Sequence, residues 1–117
     1  MRTTVVHPMP SIALSCVFGR DCIKVADKNG VDDWPCLAGC AFVVDDTDEL
    51  VMLVRCIDSE ADIMSTIAHE SYHLTQRYFD QIGDEEPSEE TTSHVLDAIV
   101  YEAVKQYRKW RKKHPKG

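Results

Sequence analysis

Residues Ser59 to Gly83 read SEADIMSTIAHESYHLTQRYFDQIG, an apolar repeat of helical period bracketed by a start signal and a stop signal. Ser59 is suited to an N-cap, with Glu60 in the first turn and Asp62 three residues on, and Gly83 can take the left-handed conformation that closes a helix. A helix is therefore expected over 59–82. Beyond it, Asp84-Glu85-Glu86-Pro87 is a charged loop and Ser88 caps a second helix, expected over 88–112. Val95, Leu96, Ile99, Ala103, Tyr107 and Trp110 recur on one side of that second helix and give it a packed face.

Upstream of Ser59 the period shortens. Ile12 to Phe18 is a β-prone run, and Ile23 to Val25 is placed to pair with it across Gly19 to Cys22. Asp27 to Pro35 is turn-rich. Cys40 to Val44 and Leu50 to Ile57 are strand-like and joined by Asp45-Asp46-Thr47-Asp48-Glu49, a polar connection of hairpin size. Residues 1–10 carry Pro8 and Pro10 and read as a poorly ordered or edge segment. The expected architecture is α+β: one domain over 1–117, with a small antiparallel β-sheet within 11–57 followed by two packed helices.

At 117 residues the chain has room for one modest core, so any site lies on the surface of that core. The formal charge of −7 is unevenly spread. Residues 1–104 hold six basic residues against all twenty acidic ones, whereas Lys105, Arg108, Lys109, Arg111, Lys112, Lys113 and Lys116 crowd the end with no acid among them. An acidic body argues against a broad nucleic-acid surface. The basic tail is the one place for phosphate or an acidic partner, although cations at a helix end also complement its dipole. No run approaches the length of a membrane span, the N-terminus lacks the apolar core of a secretory signal, and five cysteines are an odd number. These features together lead us to expect a cytoplasmic, monomeric protein with reduced thiols and no membrane partner.

Within the first helix, His69-Glu70-Ser71-Tyr72-His73 has the spacing HExxH. Histidines at i and i+4 stand one above the other on a helix, so both imidazoles can reach one metal ion. Glu70 lies about 100° round the helix from His69, where it can touch a metal-bound water without being a ligand. A catalytic zinc wants a third protein ligand and an open position. Glu89, Glu90, His94, Asp97 and Glu102 of the second helix are the candidates. Glu90, His94, Asp97 and Tyr101 form a polar stripe at i, i+4, i+7 and i+11, which favours Glu90, while Glu89 lies closer to the apolar face.

The segment from Ile67 to Val100 resembles short zinc metallopeptidases encoded by phages and prophages. In these an HExxH helix is followed, after a Gly and an acidic loop, by a helix opening Glu-x-x-small-Tyr-apolar. Here that element reads Glu90-Thr91-Thr92-Ser93-His94-Val95, with His94 in place of the tyrosine. The resemblance implies a minimal zincin-like fold of gluzincin arrangement, one Zn²⁺ per chain on His69, His73 and Glu90, and Glu70 as general base. His94, and Tyr72 beside the motif, are candidate donors to the tetrahedral intermediate. The implied substrate is a peptide or protein, and the strand over Leu50 to Ile57 is a candidate edge for it to join.

Two other readings are carried alongside: a non-catalytic binding protein whose zinc braces the two helices, and a DNA-associated protease that uses its basic tail. A rival metal site would use Cys36 and Cys40, at a C-x₃-C spacing, with Cys16 and Cys22. Cys16 and Cys40 sit in β-prone runs and read more simply as small buried hydrophobes. Trp110, at helical spacing from Ala103 and Tyr107, reads as a helix-end anchor rather than a base-stacking residue.

Overall fold

The computed structural model describes residues 2–6, 12–34 and 37–115. Its elements run β1 (Arg2–Val6), β2 (Ile12–Phe18), α1 (Asp21–Lys28), β3 (Gly39–Val43), β4 (Leu50–Val54), α2 (Glu60–Ile82) and α3 (Glu89–Lys113). The four strands lie in the order β1-β2-β4-β3. β1 pairs antiparallel with β2, and β3 pairs antiparallel with β4, Gly39 facing Val54. The central pair is parallel, from Leu14 beside Leu50 to Phe18 beside Val54. The class is α+β as expected, but the sheet is mixed rather than antiparallel.

The parallel pairing has a cause visible in the side chains of β4. All five residues of Leu50-Val51-Met52-Leu53-Val54 are buried, which is the pattern of a strand covered on both faces rather than of a half-exposed hairpin strand. Alternate residues serve opposite layers. Leu50, Met52 and Val54 join Leu14, Cys16 and Phe18 beneath α2 and α3, while Val51 and Leu53 join Val17, Cys22, Ala26 and Trp34 beneath α1. The expected strand over Ile23 to Val25 is therefore corrected: those residues belong to α1, whose Cys22 and Ala26, one turn apart, are the buried positions.

Both long helices start and stop where their polar residues dictate. The Ser59 hydroxyl accepts from the Asp62 backbone N–H at 3.2 Å and the Ser88 hydroxyl from that of Thr91 at 3.1 Å, and Gly83 closes α2 at φ 73°. α2 lies over β3 and β4, and α3 over β2 and β1. Ile63, Ile67, Leu74 and Tyr78 of α2 meet Val95, Ile99, Ala103 and Tyr107 of α3 in the larger core. Trp110 finishes that core as an anchor. Its ring lies 5.8 Å from Phe18 and 6.3 Å from Tyr107, over the bare Cα of Gly19, whose φ of +68° begins the turn into α1. The basic tail is largely the last turns of α3, which runs to Lys113. Among the described residues, no helix is long and apolar enough to cross a membrane.

Candidate metal centre

On α2 the residues facing the core are Ile63, Ile67, Glu70, Ser71, Leu74, Thr75, Tyr78 and Phe79. His69 and His73 fall outside that arc, on the exposed flank. Their Nε2 atoms approach to 3.2 Å and their rings stand edge to face, 4.8 Å apart. Two nitrogens bound to one tetrahedral zinc at its usual bond length stand about 3.3 Å apart. The spacing of the histidine nitrogens matches that of two ligands on one such ion. His69, Glu70 and His73 form the one group of three ligand-type residues among the described residues whose donor atoms converge, all within 4.8 Å of one another.

Glu70 lies on the inner side of the pair and is 6 % exposed. Burial pushes its carboxyl above the ordinary value, and the two histidines oppose that push. Its neighbour on the strand beneath α2 is Gly39, at the start of β3. A Cβ on Gly39 would stand 2.5 Å from Thr66 Cγ2 and 3.1 Å from both Cγ and Oε2 of Glu70. The glycine thus makes the cradle for the carboxylate, since any larger residue would occupy the space that Glu70 and Thr66 fill. An open cleft of ≈ 340 Å³ lies there, lined by Ala38, Gly39, Ser65, Thr66, His69 and Glu70. Arg55 fixes its rim: its backbone N–H donates to Ala38 O at 3.0 Å and its guanidinium to Leu37 O at 3.0 Å.

The second helix does not reach this centre. In the sheet order β3 is at the far edge from β1 and β2, on which α3 rests. α3 therefore packs on the flank of α2 opposite Gly39 and the histidines. Glu90, favoured above as third ligand, has its side chain 85 % exposed on α3 and accepts from His94 Nε2 at 3.2 Å. His94 is likewise exposed, at 72 %, and Glu89 and Asp97 are exposed on the same helix. Glu102 is buried, but it pairs with Lys105 and lies near Cys16. The polar stripe identified from spacing is real, and it faces solvent rather than a cleft. Tyr72 is half-exposed, its hydroxyl accepting from Gln76 Nε2 at 3.2 Å. The residue that spacing did not single out is Gly39; a lone glycine beside a strand-like run signals a close backbone approach.

The strand proposed as a substrate edge also changes. β4 is flanked by β2 and β3, so the sheet edge beside the centre is β3.

The rival cysteine site does not assemble from the described residues. Cys16 lies beneath α2 and α3 and Cys22 beneath α1, with the sheet between them; Cys36 lies outside the described residues. The described cysteines are free thiols. Burial raises all four, that of Cys22 to about 12 and that of Cys56 to about 11, whereas a metal ligand or nucleophile must be a thiolate. The linkage has a clear sign. A thiol raised in the folded state contributes stability that is complete below its ordinary value of 9.0 and is lost as pH climbs through 12 for Cys22. Urea unfolding measured from pH 8 upward should show stability falling above pH 9 by about 1.4 kcal/mol per unit for this thiol. Cys22→Ala should flatten the fall by one proton, and an unchanged slope would refute the assignment.

Comparison with known family models, curated protein sequences and solved structures returned no match to this chain.

Proposed function

We propose that the protein is a zinc-dependent metallopeptidase. The observation that carries the reading is the pairing of His69 Nε2 and His73 Nε2 at 3.2 Å with a buried carboxylate, Glu70, held beside them against Gly39. His69 and His73 would supply two of the zinc's ligands; among the described residues the other ligand-type side chain converging with them is Glu70, so the third protein ligand of a catalytic zinc does not come from α3. When bound there, zinc supplies Lewis acidity and brings a water toward neutral pKa.

The chain's own residues do the remaining work. Glu70, its basicity raised by burial, accepts the proton of the attacking water and returns it to the leaving amine. The amide to be cut lies in the cleft at Gly39, and an extended peptide reaches it by adding as a strand along β3, held by main-chain hydrogen bonds. Ser65 and Thr66 give the cleft polar walls. Glu90 and His94 have no part in this scheme. A purely bracing zinc is disfavoured because both histidines belong to α2, so an ion on them does not tie α2 to α3.

Native mass spectrometry on the wild type and His73→Ala tests the reading. One zinc per wild-type chain and none on the variant is the expected result. Zinc retained by the variant would move the metal elsewhere, and zinc on neither would remove the basis of the proposal.

A further inference from the structure

The outer face of α3 carries a charge pattern that the metal centre does not use. Glu90, His94, Asp97, Tyr101, Lys105, Arg108 and Lys112 lie at successive helical spacings on one stripe, and all are exposed. The stripe is acidic before Tyr101 and basic after it. Tyr101, at its centre, is 67 % exposed, among the largest exposures of any apolar side chain described. The helix dipole accounts for acids in the first turn and bases in the last, since its effect fades within a turn of each end. It does not account for Asp97 and Lys105, which flank the middle.

The positions are symmetric about Tyr101. Asp97 and Lys105 are equally distant from it in sequence, and so are Glu90 and Lys112. Two such helices laid antiparallel, with their tyrosines in contact on a two-fold axis, bring Asp97 against Lys105 and Glu90 against Lys112, each pair occurring twice. His94 then faces Arg108, a pair that adds no opposite-charge contact. A single patch that complements itself in this way is the signature of an isologous interface.

We infer that the α3 outer face is a self-association surface whose occupant is a second copy of this chain, packed antiparallel about Tyr101. This departs from the single-chain state expected from sequence. In the free chain the same charges make local substitutes: Glu90 pairs with His94, and Lys105 pairs with Glu102 and lies over the Tyr101 ring at 5.4 Å. One helix against one helix is a small interface, so the dimer is weak, concentration-dependent and loosened by salt. The histidine pair lies on the other flank of α2 and stays open.

Sedimentation velocity on the full chain, in a concentration series at low and high salt, tests the inference. The wild type is expected to dimerise at low salt and to dissociate as salt rises. Asp97→Lys and Lys105→Asp should each weaken association about tenfold, because either change turns two symmetric attractions into repulsions. An equimolar mixture of the two variants should recover it, since the reversed charges then face each other and so do the native ones. A wild type that stays monomeric at low salt would overturn the inference. So would a mixture no tighter than either variant alone, with circular dichroism showing both folded. Duplex DNA binding by a monomeric wild type through the basic half would assign that half to a polyanion instead.

Discussion

Glu70→Gln is expected to keep one zinc bound and to cut peptide turnover by about a thousandfold, the middle of the range for loss of a positioned general base. The amide fills the same space beside Gly39 but cannot take a proton from water. A second readout separates this role from a structural one. The carboxyl is raised by burial, so in the metal-free protein its ionised form opposes folding. That contribution is neutral below the ordinary carboxylate range and grows unfavourable as pH rises through the folded value. Metal-free Glu70→Gln should therefore be more stable than the wild type at pH 7, with the gap closing toward pH 4. Chemical unfolding in the presence of a chelator measures it. Undiminished turnover, or a metal-free variant less stable at neutral pH, would overturn the assignment.

Gly39→Ala should damage both stability and turnover. The new methyl would stand 2.5 Å from Thr66 Cγ2, so α2 or β3 must move. The overpacking should cost about 2 kcal/mol. The same methyl lies 3.1 Å from the Glu70 side chain, and a shift of the base by a few tenths of an ångström should lower turnover roughly tenfold. Adding Thr66→Ser removes the closer clash while leaving the contact with Glu70. The double variant should recover most of the stability and little of the turnover. Full recovery of both would mean that Gly39 acts only through the α2–β3 spacing.

The fold was legible where its causes are local. Ser59, Ser88 and Gly83 set the ends of α2 and α3 through their own backbone geometry, so reading them in order was enough. The pairing of β2 with β4 was not legible in the same way, because a short apolar run such as Leu50 to Val54 fits an interior parallel strand and a hairpin strand alike. The segment after Gly19 is ambiguous for a related reason: Cys22, Val25 and Ala26 suit a short helix as well as a strand, and the second face of the sheet decides between them. For the site, the spacing HExxH located the histidines and the base. It gave no access to the wall behind the base, which comes from a strand far away in sequence, nor to the flank of α2 on which α3 settles. Glu90 and His94 stand on a stripe whose direction depends on that choice of flank.

That both histidines belong to one turn of α2, while the cradle of Glu70 comes from β3, divides the centre by range. Gripping a metal here asks only that a short piece of chain be coiled; tuning the base asks that the whole sheet be assembled. A lineage could therefore acquire or lose the first property by changing two residues, His69 and His73, with the architecture untouched. The second property is held in common with the core, and it changes only when the packing of the molecule changes.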